Sequence, residues 1–498
     1  MKKYLNIVLI TTGLAVLLSC NKMLEVVPQS DITATAFFKN TQELNAAVIG
    51  AYSGLRAPIQ LEWRLTEIRS DNTWQGEKGS STQQNRDLDG LDMFHPSVMM
   101  PEIYGYWYHT YQYISAVNNV LAQLDIVPTS DSNIRKQFEG EARFIRALGH
   151  FNLVRLFGPI FLMDELKSPD EAKEMNRVPV DAIYDFIIDD LKIAVQYLPT
   201  SYPAVDLGRA TTWAARMLLA KVYMTLNDFE SAEPYIRQVV DLSGRSLEST
   251  FANVFSPDNE IHNREIIFAV RFGGGWGSNF SNTFAPLNSL QRVVNRGVSR
   301  GLNAPTWDLY DSFAEYDTIR KDVSIGLWRG LNGDESDRIR QRLYPRKFVT
   351  PVDESSQSNQ DFPILRFADA LLMLAECINE LNGPTAEVFD LINRVRRRVG
   401  IPDVNSDSRL ETRLLIENER RWELAFENHR WFDLVRTGRA IEVIERQIFE
   451  TDYEYYLRYE ARAPVRGNII RLWQLLLPIP EREIITNNHI IITQNFGY

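Results

Sequence analysis

Cysteine is nearly absent from this sequence of 498 residues, which contains only Cys20 and Cys377. Two cysteines cannot provide the disulfide framework that stabilises many small secreted domains. A bridge between them would require Cys377, which lies in the apolar helical pattern "ALLMLAECINEL" and is typical of a small buried hydrophobic residue. We therefore expect no structural disulfide, and Cys20 needs another explanation.

Histidine is also scarce, and the six histidines stand apart along the chain. None belongs to an H-E-x-x-H motif, and no pair of cysteines has the spacing of zinc ligands. The glycine run "FGGGWGSNF" (272–280) lacks the Lys-Ser/Thr of a phosphate loop and the spacing of a dinucleotide fingerprint. The sequence therefore predicts no metal and no cofactor.

Positive charge is not concentrated anywhere in the chain. The 54 Lys and Arg residues are outnumbered by 65 Asp and Glu residues, which gives a net charge of −11 with no basic block. Nucleic acids and anionic membrane surfaces attract clustered basic residues. We therefore expect no nucleic-acid partner.

The apolar run at the N-terminus is too short for a membrane span, which needs about 20 apolar residues, and no later stretch reaches that length. Lys2 and Lys3 precede this run, which ends at "LLSC" (17–20). This pattern predicts a secretory signal over residues 1–19. Because its end resembles the lipobox of bacterial lipoproteins, we expect Cys20 to become the first mature residue and to carry the acyl chains of a membrane anchor.

Helical periodicity dominates the remaining residues and predicts a mainly α protein. Residues 140–158 and 180–199 have single apolar stripes that end at a Gly or Pro. Residues 213–240 match the spacing of a tetratricopeptide helix pair, and residues 365–396 resemble a second pair. We expect a single domain over residues 20–498, with an N-terminal part at about 20–230 and a C-terminal part at about 260–498.

Two segments rich in Gly, Asn, Ser and aromatic residues interrupt this helical pattern, at 74–107 and 271–310. Their composition predicts long loops, which often carry function in compact proteins. Only "EIIFAVRF" (265–272) has the composition of a strand, and we expect it to form part of a small hairpin.

The two predicted loops contain a candidate ligand site. Aromatic faces bind the C–H surfaces of sugars, while planar polar groups bind the hydroxyls, and glycine lets the backbone present a tryptophan outward. The alternative is that each tryptophan has a structural role and covers the helices beneath it. The candidate ligand-binding residues are Asp71, Asn72, Trp74, Gln75, Arg271, Trp276, Asn279 and Phe280.

A group of carboxylates at 417–433 is a possible pair of glycosidase acids. However, Glu419, Glu423 and Glu427 are spaced at i, i+4 and are interleaved with arginines. Arginine pairing keeps carboxylates ionised instead of raising the pKa of one of them for general-acid work. We therefore predict structural ion pairs here, and a lipid-anchored glycosidase remains an alternative that would depend on Glu423 or Glu427.

Several motifs follow one another along the chain: "YQYISAVNNVL", "GEARFIRALGHFNLVRLFGPI", "PILRFADALLMLAECINE", "ERRWELAFENHRWFDLVRTG" and "LLPIPEREIITNN". Together, and in this order, they resemble the SusD/RagB family of outer-membrane nutrient-binding lipoproteins of Bacteroidetes. The resemblance implies a SusD-like helical fold with tetratricopeptide-like pairs and long ligand-binding loops, without enzymatic activity.

The resemblance also implies the partners and the location. Such proteins are lids on a SusC-like TonB-dependent transporter in the outer membrane, to which they deliver oligosaccharides or, in the RagB branch, peptides. Residues 21–25 lack the acidic cluster that often marks surface-exported lipoproteins, so exposure at the cell surface is implied by the family alone. Capture of peptides and a purely structural adhesin or assembly scaffold remain alternatives to glycan binding.

Overall fold

The computed structural model describes residues 38–76, 82–128, 131–273, 275–330, 342–353, 357–447 and 469–498. Cys20 and the predicted signal peptide lie outside these residues. In the N-terminal half the α-helices are α1 (Thr41–Gly54), α2 (Arg56–Leu65), α3 (Gln83–Asp92), α4 (Pro101–Gln123), α5 (Ser132–Phe157), α6 (Pro169–Lys173), α7 (Val180–Tyr197), α8 (Thr212–Thr225) and α9 (Phe229–Leu242). In the C-terminal half they are α10 (Phe280–Phe284), α11 (Trp307–Ser312), α12 (Thr318–Ser324), α13 (Phe367–Asn382), α14 (Ala386–Arg398), α15 (Arg409–Glu423), α16 (Arg430–Arg436), α17 (Ala440–Arg446) and α18 (Glu481–Thr486).

The strands are short, and within the described residues they pair into antiparallel two-stranded sheets. The pairs are β1 (Thr73–Trp74) with β5 (Ala304–Pro305), β2 (Ile160–Phe161) with β3 (Arg177–Val178), β4 (Ile266–Val270) with β8 (Phe362–Arg366), and β6 (Ile325–Trp328) with β7 (Arg342–Pro345). The prediction of a mainly α fold is confirmed.

The long helices pack in series and form the scaffold. Helices α1 and α2 pack on α4, α4 on α5, α5 on α7, α7 on α8, α8 on α9, and α9 on α13, which also contacts α14 and α15. One large apolar core runs through this stack. Helix α5 lies at its centre because both sides are apolar, with Phe144, Phe151 and Phe157 fully buried. Gly158, at a φ of +71°, ends the helix where the sequence predicted.

Helices α8 and α9 form the helix pair that was predicted over 213–240. Ala220 and Ala232 are fully buried, so the two helices approach closely. Asn227 adopts a φ of +57° in the turn, and the side chain of Asp228 accepts a hydrogen bond from the N–H of Ser231 at the start of α9. The second predicted pair is also present as α13 and α14, with Cys377 buried in α13.

The predicted strand at 265–272 is present, but the predicted hairpin is wrong. β4 pairs with β8, which lies about a hundred residues later in the sequence. β8 leads directly into α13, so this sheet joins the middle of the chain to the second helix pair. Periodicity reports only local structure, so it does not reveal a strand partner this far along the chain.

The first predicted loop is also partly helical. Helix α3 begins after Thr82, whose side chain accepts a hydrogen bond from the N–H of Asn85, and it buries Leu88 and Leu91. Helix α4 begins with Pro101 as its first residue, a position that suits proline. The loop prediction over 74–107 is therefore wrong for residues 83–92 and 101–107, where polar composition hid two capped helices.

Candidate functional site

Helix α2 is the platform on which the second predicted loop is mounted. Nε of Arg56 donates a hydrogen bond of 2.7 Å to the carbonyl of Arg271, and Oε1 of Gln60 accepts one of 3.0 Å from the N–H of Asn279. One turn of a rigid helix thus holds both ends of the segment 271–279. A fixed loop can present a side chain to a ligand without a large entropic cost.

The first predicted loop is joined to residues 303–306. The N–H of Asn303 donates to the carbonyl of Gln75 at 3.2 Å, and the N–H of Thr306 donates to the carbonyl of Asn72 at 2.9 Å. Between them, Trp74 lies opposite Ala304 in the β1–β5 pair. Trp74 is half-buried.

Residues 300–302 continue this connection to the second loop. The N–H groups of Arg300, Gly301 and Leu302 donate to the carbonyls of Asn282, Ala285 and Thr283, at 2.9, 2.8 and 3.0 Å. These acceptors lie in or next to α10, which directly follows Asn279. A continuous set of backbone hydrogen bonds therefore joins the two loops that the sequence predicted to share a site.

Trp276 is exposed, at 69%. Its N–H and carbonyl each pair with Gly273, at 3.1 and 2.9 Å, and Gly273 and Gly275 adopt φ values of +126° and +90°. Only glycine takes up such conformations readily, so the glycines are needed for this turn. Ser278 is fixed in turn by two backbone hydrogen bonds to Ser358. The turn holds the indole out into solvent.

Asp71 and Asn72 have structural contacts instead of exposed surfaces. Asp71 is 1% exposed and forms ion pairs with Arg430 and Arg421, and the side chain of Asn72 accepts a hydrogen bond of 3.0 Å from Nε of Arg421. Burial alone would raise the pKa of Asp71, but the two guanidinium groups outweigh it and hold that pKa well below its usual range. Asp71 is therefore an ionised anchor for β1.

Gln75 and Phe280 are buried as well. Phe280 contacts four aromatic rings from neighbouring segments, namely Phe272, Phe284, Phe348 and Phe362. Of the eight predicted ligand residues, Asp71, Asn72, Gln75 and Phe280 thus lie in the interior, and Trp74, Arg271, Trp276 and Asn279 retain exposed surface.

Arg271 does not share a surface with Trp276, because its side chain is directed toward two carboxylates. Its Nη1 lies 3.3 Å from Oδ2 of Asp361, and its Nη2 lies 3.6 Å from Oε2 of Glu260. These groups line a cavity on which Trp276 does not border. The structure therefore divides the predicted set between two places.

The carboxylates at 417–433 form the predicted ion pairs, although most of the partners come from distant segments. Arg366, at the end of β8, contacts Glu423 and Glu427 at 2.7 Å each, and Arg320 contacts Glu419 at 2.5 Å. Burial would raise the pKa of Glu423, but nearby arginines hold it well below its usual range. Glu423 and Glu427 are buried and committed to these pairs, so neither is available as a general acid.

Residues 297–301, "GVSRG", match the G-x-S-x-G pattern of hydrolase nucleophiles. That chemistry requires the serine at a sharp turn between a strand and a helix. Ser299 is instead buried at 7% exposure, accepts a hydrogen bond from the hydroxyl of Ser289, and lies in irregular structure. The local structure does not fit a nucleophile elbow.

Within the part of the chain that the structure describes, no three His, Cys, Asp or Glu side chains come together as a metal site would require. None of the helices described there has the length and apolar character needed to cross a membrane.

Sequence reasoning missed the residues that position the site. Gln60, Gln357 and Ser358 hold the Trp276 turn through hydrogen bonds, yet they lie in segments of ordinary composition. No local signal marks them, because their role depends on contacts across 80 residues or more.

Comparison with known proteins identifies the class. Residues 22–224 match the model of a family described as "Starch-binding associating with outer membrane", and residues 327–498 match that of the "SusD family". The chain belongs to the SusD/RagB family.

Individual relatives span nearly the whole chain. "SusD-like protein P25" from Formosa agariphila is 27% identical over 94% of both chains, and "Starch-binding protein SusD" from Bacteroides thetaiotaomicron is 24% identical over 72% of both. Among solved structures, a "Laminarin binding SusD-like protein" superposes with a TM-score of 0.75 at 25% identity, covering 93% of this chain and 100% of that one. A SusD homologue from Bacteroides thetaiotaomicron superposes with a TM-score of 0.80 at 22% identity, covering 94% of this chain and 99% of its own. The fold is that of SusD.

Proposed function

We propose that the protein is a non-catalytic outer-membrane lipoprotein that binds oligosaccharides. The observation that carries this proposal is Trp276, exposed on a glycine turn and connected by backbone hydrogen bonds to the segment that holds Trp74. Exposed indole faces bind the apolar faces of sugar rings. Similarity to a laminarin-binding protein and to a starch-binding protein supports a glycan over a peptide as the ligand.

Asn279 and Trp74 complete the proposed surface. Asn279 is exposed beside the turn, and its amide can both donate to and accept from sugar hydroxyls. Trp74 is held in place by the β1–β5 pair. The site is shallow, because only the indole of Trp276 projects fully into solvent.

We infer that the bound glycan is passed to a SusC-like TonB-dependent transporter, with the protein held beside it by acyl chains on Cys20. The family description, which places such proteins at the outer membrane, supports this location. An anchored binding protein stays near its transporter, whereas a freely diffusing one would be diluted. Copurification with a SusC-like transporter from the same cells would test the partnership, and purification of the two proteins in separate fractions would contradict it.

Isothermal titration calorimetry of the purified chain with laminarihexaose and maltohexaose, beside a set of tripeptides, would test the binding function. We expect one class of glycan to bind, and Trp276→Ala to weaken its binding at least tenfold. Phe496→Ala is the matched control, because Phe496 is an exposed aromatic residue (84%) in another segment. Binding of peptides alone would favour a peptide-capturing protein, and equal affinity of Trp276→Ala and wild type would contradict the site.

A further inference from the structure

The cavity that Arg271 lines is on the other side of this residue from the aromatic turn. It lies between the loop that precedes α8, the segment that precedes β4, and the start of β8, and its space, counted together with the open mouth, is about 860 Å³. The side chains that matter for its chemistry are Tyr202, Arg245, Phe255, Glu260, Arg271 and Asp361.

Two arginines in this cavity have hydrogen-bond donors that the protein does not use. A guanidinium has five N–H donors. Among the described residues, the guanidinium of Arg271 makes only the two ion pairs of 3.3 and 3.6 Å, and that of Arg245 makes one hydrogen bond, of 3.3 Å, to the carbonyl of Asn263. Both side chains are half-buried, and their remaining donors face the cavity or solvent.

Arg209 provides an internal comparison, since it lines the same cavity. Its Nε donates to Asp206 at 3.0 Å, and its Nη1 donates to Glu141 at 3.0 Å. The fold can therefore satisfy an arginine at this place with short bonds. Arg245 and Arg271 differ from Arg209 in having donors left for a ligand.

Acceptors lie beside these donors. Glu260 receives a hydrogen bond of 2.8 Å on Oε1 from the N–H of Asp361, and Asp361 receives one of 2.8 Å on Oδ1 from the N–H of Phe272. The second oxygen of each carboxylate faces Arg271. Burial raises the pKa of Glu260 to about 7 and that of Asp361 to about 6, in line with carboxylates that lack short charged partners.

The mixture of charges indicates the class of ligand. Above about pH 7, where both carboxylates are ionised, Glu260 and Asp361 balance Arg245 and Arg271, so an anion or a cation would meet repulsion as well as attraction. A neutral molecule with many hydroxyls can accept from the arginines and donate to the carboxylates at the same time. Phe255 and the apolar face of β4 supply a surface for C–H groups.

We propose that this cavity is a second carbohydrate site, which takes one or two rings of a neutral glycan and is separate from the Trp276 surface. The proposal rests on the proposed function, because it assumes that glycans are the ligands of this protein. Gly208 maintains the cavity wall: it has a φ of +101°, and a Cβ added there would lie 2.3 Å from Cδ of Arg271. The chain passes Arg271 too closely for any larger residue.

Calorimetry and crystal soaking with the neutral disaccharides laminaribiose, cellobiose and maltose would test this site. In Trp276→Ala we expect at least one disaccharide to bind still, with electron density in the cavity. Arg245→Gln should weaken that binding at least tenfold, and Ser256→Trp, which places an indole at the cavity wall, should abolish it. Arg397→Gln, a change at an exposed ion pair on α14, is the control.

The outcomes separate the two proposals. Binding that disappears in Trp276→Ala and is unchanged in Arg245→Gln would overturn the cavity site and leave the proposed function intact. Binding in the cavity alone would support this inference and contradict the aromatic site, and no binding of any glycan would overturn both. Stronger binding of galacturonate than of the neutral sugars, lost in Arg245→Gln, would overturn the assignment to neutral ligands. Circular dichroism would show that each variant is folded, and Arg245→Gln still decides the question if Ser256→Trp is not.

Discussion

Arg430 and Asp71 form a two-bonded ion pair in the interior, with Nε 2.7 Å from Oδ1 and Nη2 2.9 Å from Oδ2. This pair joins α16, near the C-terminus, to the residues that lead into β1 and Trp74. Arg421 adds a second contact to the same carboxylate at 3.0 Å. The helical scaffold thus holds β1 and Trp74 in place through the buried carboxylate of Asp71.

Asp71→Asn should destabilise the protein at the lower end of about 3–5 kcal/mol, because Arg430 and Arg421 each lose one buried counterion and keep only Glu417 and Asp308, respectively. Urea unfolding followed by circular dichroism would measure this loss. Asp403→Asn is the control, since Asp403 pairs with Arg397 at an exposed position and should change stability little. A loss for Asp71→Asn as small as that of the control would show that the buried pair does not hold the loop.

The difference in free energy of unfolding between wild type and Asp71→Asn should depend on pH. The folded-state pKa of Asp71 is lowered, so its ionised form contributes stability above the unfolded-state pKa of about 4. That contribution is lost as the pH falls from there toward the folded-state pKa. The free energies of unfolding of wild type and Asp71→Asn should therefore converge below about pH 4, and a constant difference from pH 7 to pH 2 would contradict the lowered pKa.

Glu67 should give the opposite pH dependence. It is fully buried, and burial raises its pKa to about 8, although the N–H of Asn428 donates to its Oε1 at 2.7 Å. A folded-state pKa above the unfolded one means that the folded protein binds the extra proton. Stability should therefore fall as the pH rises from about 4.5 to about 8, as ionisation becomes more costly in the folded state.

Glu67→Gln should remove this slope, because glutamine is neutral at every pH. We expect the variant to gain stability relative to wild type between pH 5 and pH 8, as measured by thermal unfolding at each pH. Glu43→Gln is the control, since Glu43 is in the first turn of α1 and is only half-buried. An identical pH slope in wild type and Glu67→Gln would contradict the raised pKa.

The sequence predicted the scaffold better than the site, for a physical reason. The stripe of α5 and the turn at Asn227-Asp228 depend on residues a few positions apart, so periodicity and capping patterns reveal them. The exposure of Trp276 was also predictable, because the glycine turn that presents it is local. The burial of Asp71 was not, since Arg421 and Arg430 reach it from about 350 positions later.

The cavity beside Arg271 could not be predicted from the sequence, for the same reason. Arg245, Glu260 and Asp361 lie in three separate segments and match no motif. Only the pairing of β4 with β8 brings Asp361 next to the residues that follow β4. Sites that are built across long-range strand pairs leave no local pattern in a sequence.

Gly76→Ala should disturb the aromatic site through the backbone. Gly76 has a φ of +108°, and a Cβ added there would lie 2.0 Å from the carbonyl oxygen of Gly301. We expect a loss of stability at the upper end of roughly 1–3 kcal/mol, together with weaker glycan binding, because β1 and β5 must separate. Gly244→Ala is the matched control: Gly244 also has a positive φ, of +68°, but open space beside it. Equal effects of the two variants would show that the contact with Gly301 is unimportant.

Cys20→Ala should release the protein from the membrane, because a lipid anchor through Cys20 would be its attachment and each buried CH₂ of an acyl chain contributes about 0.8 kcal/mol. Fractionation of cells that express the variant should move it from the outer-membrane fraction to a soluble fraction, and metabolic labelling with a fatty-acid analogue should be lost. Glycan affinity of the purified chain should be unchanged. Cys377→Ala is the control, since Cys377 is buried in α13 and should leave the attachment intact. If Cys20→Ala still fractionated with the outer membrane, attachment would depend on protein contacts and not on an acylated cysteine.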